Sequence, residues 1–73
     1  MSYGQKIREL REDAGKSQAE IAKLLQTTQQ YYGKYETNKH PLPIDHFKTL
    51  CEYYKVSANY ILGLPENLKH PKR

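Results

Sequence analysis

Apolar residues recur along the chain at helical spacing, in short segments separated by residues that begin or end helices. The stripe that predicts a first helix, over about residues 3–14, consists of Ile7, Leu10 and Ala14. Ser2 and Gln5 precede the stripe with the spacing of a capping box, and Gly15 follows it. This segment is therefore expected to be one amphipathic helix.

Two shorter segments follow. Ser17 and Glu20 repeat the capping-box spacing and predict a helix over about residues 18–25. Its expected buried residues are Ile21, Ala22, Leu24 and Leu25.

After Gln26 and Thr27, the hydroxyl of Thr28 can cap a third helix that continues to about Glu36. In that helix Tyr32 and Tyr35 share an inner face, and the outer face carries Gln29, Gln30, Gly33 and Lys34.

The remainder of the chain also has a helical pattern. Asn38 to Pro43 has the composition of a loop. The apolar stripe of a fourth helix consists of Ile44, Phe47, Leu50, Cys51 and Tyr54. Ser57 can cap a short fifth helix that ends at Gly63. Because strand and hairpin signals are nearly absent, we predict an all-α fold, with one domain over residues 1–63 and a basic tail over residues 64–73.

Charge alone says little about partners. The chain of 73 residues has a net charge of +4, but three of these charges lie in residues 69–73 and the rest of the chain carries only +1. Such a basic tail is expected to be a solvated, frayed terminus. A case for nucleic-acid binding must therefore rest on the pattern of residues.

Composition argues against several other classes of protein. The single cysteine, Cys51, cannot form an internal disulfide and is expected to be a small core residue. His40, His46 and His70 do not match the ligand spacing of a zinc site, so we expect neither a metal nor another cofactor. No nucleophile–base pair or glycine-rich phosphate loop indicates an enzyme, and no small-molecule ligand is evident. The first residues lack a signal-peptide pattern and no stretch is long enough to span a bilayer, so a cytoplasmic protein is expected.

Two short helices joined by a three- or four-residue turn describe a helix-turn-helix. The string from Ser17 to Glu36, SQAEIAKLLQTTQQYYGKYE, closely resembles the helix-turn-helix of Cro and the phage repressors, the XRE family. Phe47 to Leu62, ending in VSANYIL before Gly63, resembles the fourth and fifth helices of that family. The resemblance covers about residues 3–63 and implies a five-helix, lambda-repressor-like domain that regulates transcription.

The resemblance also implies a charged pair between Arg11, late in the first helix, and Glu36, at the end of the third. The alternative is that both side chains face solvent. One residue departs from the family pattern, because Gln26 stands at a turn position that is often glycine. A residue with a side chain in a left-handed turn costs ~1 kcal/mol or more, so this turn is either slightly strained or slightly different.

Base-reading chemistry supports the same assignment. Glutamine can form a bidentate pair with adenine, and Gln29 and Gln30 lie in the first turn of the third helix, the end that reaches base edges in such folds. The tandem Thr-Thr-Gln-Gln is shared with phage repressors, which implies a preference for A·T-rich half-sites. The complete set of expected base contacts is Thr28, Gln29, Gln30, Gly33 and Lys34. Lys34 can reach either a guanine or a phosphate, and Gly33 either lets the backbone approach the groove or is an ordinary surface glycine.

Phosphate contacts are expected from residues that flank the third helix. The set consists of Ser17, Gln18, Tyr31, Asn38, Lys39 and His40. Tyr31 has a second interpretation, as part of an aromatic cluster with Tyr32 and Tyr35.

The expected partner is double-stranded DNA, bound as a homodimer on a pseudo-palindromic operator, as a repressor would do. The resemblance places the dimer interface in the fifth helix and the residues after it, including Leu64 and Leu68. Alternatives on the same fold are a restriction-modification controller, an antitoxin, or a protein-interaction module that has lost DNA binding.

Overall fold

The computed structural model describes residues 3–64, and within them the chain forms five helices and no strand. The helices are α1 (Tyr3–Asp13), α2 (Gln18–Leu24), α3 (Gln29–Glu36), α4 (Ile44–Tyr54) and α5 (Ala58–Leu62). The predicted all-α, five-helix fold is confirmed. Ser2 of the first capping box and residues 65–73 of the basic tail, including Leu68, lie outside the described residues.

Hydroxyl caps begin three of the helices, as the sequence predicts. Ser17 and Glu20 form a capping box, in which each side chain accepts a hydrogen bond from the other residue's backbone N–H, at 3.1 and 2.9 Å. Thr28 and Ser57 cap α3 and α5 through their hydroxyl oxygens. These caps fix where each helix starts, and so they fix the length of the α2–α3 turn.

The hydrophobic core lies where α1 packs against α3 and α5, and where α2 packs against α3. Its buried residues are Ile7, Ile21, Ala22, Leu25, Tyr32, Tyr35, Leu50 and Ile61. Cys51 packs against this cluster, and burial raises the pKa of its thiol. Tyr32 and Tyr35 place the inner face of α3 in the centre of the domain.

Three residues predicted for apolar stripes are exposed instead. Ala14 follows the last residue of α1, and its side chain faces solvent. Leu24 is 38% exposed, because α2 buries Ile21, Ala22 and Leu25 and leaves Leu24 at the edge. Ile44 is 74% exposed at the first position of α4, where the helix emerges from the preceding loop. For these three residues the prediction of burial was wrong.

Within residues 3–64, no helix is long and apolar enough to cross a membrane. In the same part of the chain, no three histidine, cysteine or acidic side chains converge as metal ligands would.

Candidate nucleic-acid interface

The turn between α2 and α3 keeps a left-handed residue although it has no glycine. Gln26 has φ +59°. The backbone N–H of Gln26 donates to the carbonyl of Lys23 at 3.1 Å, and that of Thr27 donates to the carbonyl of Ala22 at 2.9 Å. Of the two alternatives left open by the sequence, the left-handed backbone at Gln26 supports the strained turn, which carries the ~1 kcal/mol that a side chain costs there.

The first turn of α3 is exposed. Thr28 accepts a hydrogen bond from the N–H of Tyr31 at 3.1 Å, so its hydroxyl is already engaged as a cap. Gln29 and Gln30 follow immediately, and both are exposed. The N-terminal end of α3 therefore presents two adjacent, neutral side chains to solvent, and each of them can form two hydrogen bonds.

The other end of α3 is anchored by a buried ion pair. Arg11 donates from Nε to Glu36 Oε2 at 2.7 Å and from Nη2 to Glu36 Oε1 at 3.2 Å. Its Nη1 donates to the carbonyl of Lys16 at 2.9 Å. The side chain of Arg11 is 12% exposed and that of Glu36 only 2%, so the structure brings these two residues together and not into solvent.

Gln18 joins the same network. Its Nε2 donates to Glu36 Oε1 at 3.1 Å, so Glu36 connects side chains from α1 and α2 to α3. The Gln18 amide also lies beside Gly33, whose absent Cβ would be 3.6 Å from Gln18 Oε1. The side chain of Gln18, which was predicted to contact a phosphate, is thus held against α3. We call Arg11, Gln18 and Glu36 the polar joint.

Ionisation in the polar joint favours the charged pair. Burial opposes ionisation of Glu36, but its interactions with Arg11, Tyr32 and Gln18 outweigh burial, and the pKa of the carboxyl is lowered. The hydrogen bond to Glu36 likewise raises the pKa of Arg11. Burial, with the nearby Glu36 carboxylate, raises the pKa of Tyr32, yet the Tyr32 hydroxyl has no partner at hydrogen-bonding geometry among the described residues. The charge on Glu36 is therefore maintained at neutral pH.

The far flank of α3 is aromatic and basic. Tyr31 is 45% exposed, and its ring lies 5.6 Å from that of Tyr35 and 5.1 Å from that of His40, between centroids. The ammonium of Lys34 is 6.0 Å from the centroid of the Tyr31 ring. Tyr31 therefore belongs to an aromatic cluster and also reaches the surface, and its contact with a phosphate stays a prediction.

The chain leaves α3 through a left-handed residue, Asn38, with φ +63°. Its Oδ1 lies close to Gly4, at the N-terminal end of α1. The next two amides, those of Lys39 and His40, both donate to the carbonyl of Lys34, at 2.8 and 3.3 Å. This turn brings Lys39 and His40 back to the flank of α3 that carries Tyr31.

Gly4 is a positioning residue that sequence reasoning missed. A Cβ at Gly4 would lie 2.5 Å from the carbonyl oxygen of Tyr35 and 2.6 Å from that of Glu36, distances that real Cβ atoms do not adopt. The start of α1 therefore packs directly on the backbone at the end of α3. An isolated glycine near the start of a predicted helix was the only signal for this contact.

Comparisons with known proteins identify the family of the chain and proteins of similar fold. A family model described as a helix-turn-helix domain matches residues 4–66. The chain is also 32% identical over 65 residues to an uncharacterized HTH-type transcriptional regulator of Bacillus subtilis strain 168, YobD. The match covers 89% of this chain but 58% of the relative, so the chain spans little more than half of that protein's length.

Two solved structures have a similar fold. The P22 c2 repressor, determined in complex with a synthetic operator, superposes with a TM-score of 0.77 at 19% identity, over 85% of this chain and 94% of the repressor chain. The restriction-modification controller protein C.AhdI of Aeromonas hydrophila superposes with a TM-score of 0.72 at 25% identity, over 82% of this chain and 87% of the controller chain. Both likenesses extend over most of the described helices.

Proposed function

The chain belongs to the helix-turn-helix domain family, of the Cro and phage-repressor type, and from this we propose that it is a sequence-specific DNA-binding transcriptional regulator. One observation carries the proposal. The inner side of α3 is fixed in the core by Tyr32 and by the polar joint, whereas Gln29 and Gln30 are exposed on its first turn. A rigidly held helix with exposed amide side chains at its N-terminal end suits the major groove.

Gln29 and Gln30 are the proposed readers of adenine. Each amide can accept from adenine N6 and donate to N7, and such a bidentate pair discriminates against the wrong base by ~1–3 kcal/mol. The remaining predicted base contacts are Thr28, Gly33 and Lys34. Thr28 and Lys34 are exposed and Gly33 is half-buried beside Gln18. With little net charge outside the tail, specificity depends more on these amides than on electrostatic attraction.

The finer part of the proposal is repression by a homodimer on a pseudo-palindromic operator, with half-sites ~10 bp apart or a multiple of that. One short helix reads too few base pairs for useful specificity, and a second copy doubles the site. The apolar side chains available for the contact are those of Pro41, Leu42, Phe47 and Leu62, which line a shallow depression, and of Ile44 and Leu64, which are exposed. The resemblance predicted an interface at α5 and the residues after it. The proposed interface also includes residues at the start of α4.

Selection of binding sites from random DNA, followed by footprinting, tests the function. We expect one enriched half-site containing adenines and its inverted repeat at a fixed spacing. Sedimentation of the wild-type chain and of Ile44→Glu, which places a charge on the apolar surface, tests the dimer. Absence of any enriched sequence contradicts DNA reading, and a footprint of about five base pairs from a monomer contradicts the dimer.

The likeness to C.AhdI supports a second candidate, a controller of restriction-modification genes. Such a controller uses the same interface on DNA and differs in the genes it regulates. The two candidates are distinguished by location, because a controller's selected site lies beside restriction-modification genes. The proposed function contains no catalytic step in either case.

A further inference from the structure

Lys34 has two possible partners on DNA, a guanine edge or a backbone phosphate, and its surroundings distinguish them. Lys34 follows Gln30 by one turn, at roughly 40° around the helix on the side of Tyr31. Its ammonium approaches the Tyr31 ring, 6.0 Å from the centroid. The side chain is therefore directed to the flank of α3 and not along the line from Gln30 into the groove.

Further basic groups lie on the same flank. The rings of His40 and Tyr31 form a T-shaped contact, with 5.1 Å between centroids and 73° between the ring planes. The backbone amides of Lys39 and His40 both donate to the carbonyl of Lys34, which brings these two residues back to the last turn of α3. We call Tyr31, Lys34, Lys39 and His40 the basic flank. Two lysines and a histidine beside a recognition helix, and not on its leading edge, suit the sugar-phosphate backbone.

We propose that Lys34 contacts a backbone phosphate and does not read a base, with Tyr31 holding its ammonium in place. The proposal rests on the proposed function, since it concerns the same helix on the same DNA. A cation over an aromatic face is already partly oriented, so less side-chain freedom is lost when it meets a phosphate. Base reading then falls to Gln29 and Gln30, and Lys34 contributes affinity that is independent of sequence.

The salt dependence of binding measures this directly. Each phosphate neutralised contributes about −0.9 to the slope of log K against log salt. Lys34→Ala should make the slope shallower by about 0.9 for each Lys34 that contacts DNA, and should weaken binding to the selected site and to a scrambled site by the same factor. Lys34→Arg should keep both the slope and the base preferences of the wild type. Tyr31→Ala, which removes the ring beneath the ammonium, should weaken binding to both sites by the same factor.

Lys48→Ala is the matched control, because it removes an equal charge from an exposed position of α4, outside the helix-turn-helix. It should change neither the slope nor the ratio of the two affinities. If Lys34→Ala loses preference at one base pair with an unchanged slope, Lys34 reads a base and the inference is overturned. An unchanged affinity for both DNAs also overturns it. If the wild-type chain itself prefers no sequence, the proposed function fails, and that result is distinct from either of these.

Discussion

The inner and outer faces of α3 differ in what they contribute. On the inner face Tyr32 is 0% exposed and Glu36 is 6% exposed, and the Glu36 carboxylate accepts hydrogen bonds from Arg11 of α1 and Gln18 of α2. On the outer face Gln29 and Gln30 are exposed. The inner face therefore sets the stability of the domain and the orientation of α3, while the outer face is free to bind. Substitutions on the two faces should have separable effects.

The largest loss in the free energy of unfolding should come from disrupting the polar joint. Arg11→Ala leaves the buried carboxylate of Glu36 without its cation, and such a change costs ~3–5 kcal/mol, comparable to the whole stability of a domain this small. Chemical denaturation followed by circular dichroism should therefore show a largely unfolded variant.

Arg8 provides the matched control, since it pairs with Glu12 at 3.2 Å on the surface of the same helix, with side chains 62% and 50% exposed. Arg8→Ala should leave the free energy of unfolding almost unchanged. Equal losses for Arg8→Ala and Arg11→Ala would contradict the special role of the inner face.

The next effect concerns Gly4, where α1 meets the backbone of α3. Gly4→Ala places a Cβ 2.5 Å from the Tyr35 carbonyl oxygen, and neither backbone can move without disturbing the core. We expect a loss of ~1–3 kcal/mol in the free energy of unfolding, as for other overpacked sites. A variant as stable as the wild type would show that α1 and α3 can separate freely.

Acid should destabilise the folded domain by protonating Glu36 on the inner face of α3. Because the pKa of Glu36 is lowered in the folded state, its contribution is fully present above the ordinary carboxyl value of 4.5 and is lost as pH falls from there through the folded value. The free energy of unfolding should decrease over that range for the wild type. Glu36→Gln removes this titration, so its pH profile there should be flatter. Parallel profiles would assign the acid sensitivity to other carboxyls.

The smallest effect is expected at Gly33, and with the opposite sign from Gly4. Its Cβ would make only ordinary contacts with Gln18, the nearest at 3.6 Å. Gly33→Ala should therefore stabilise the domain by up to about 1 kcal/mol through helix propensity. Binding measurements then decide between the two interpretations of Gly33. Weaker binding by a more stable variant indicates close approach of the backbone to DNA, and unchanged binding indicates an ordinary surface glycine.

Local signals predicted the helices well. The hydroxyl caps at Ser17, Thr28 and Ser57 depend only on neighbouring residues, so spacing in the sequence was sufficient to find them. Burial at the edges of stripes was less predictable. Ile44 and Leu24 have the correct spacing, but which flank of a stripe is covered depends on the neighbouring helix.

Contacts between distant elements were the least predictable. The resemblance to a family suggested Arg11 and Glu36, but not that Gln18 completes the network. The role of Gly4 depends on how closely α1 approaches α3, and no local pattern encodes that distance. The position of Lys34 over Tyr31 depends in the same way on a rotamer that the sequence does not specify.

The substitution Gln30→Ala tests most directly the claim that the inner face of α3 sets stability and the outer face binds DNA. Gln30 is exposed and has no part in the core, so the free energy of unfolding should equal that of the wild type. Affinities for the selected site and for its variants at each base pair should show preference lost at one position per half-site, by ~1–3 kcal/mol. A uniform loss of affinity at all positions, or a loss of stability, would contradict the claim that the outer face of α3 reads DNA independently of the inner face.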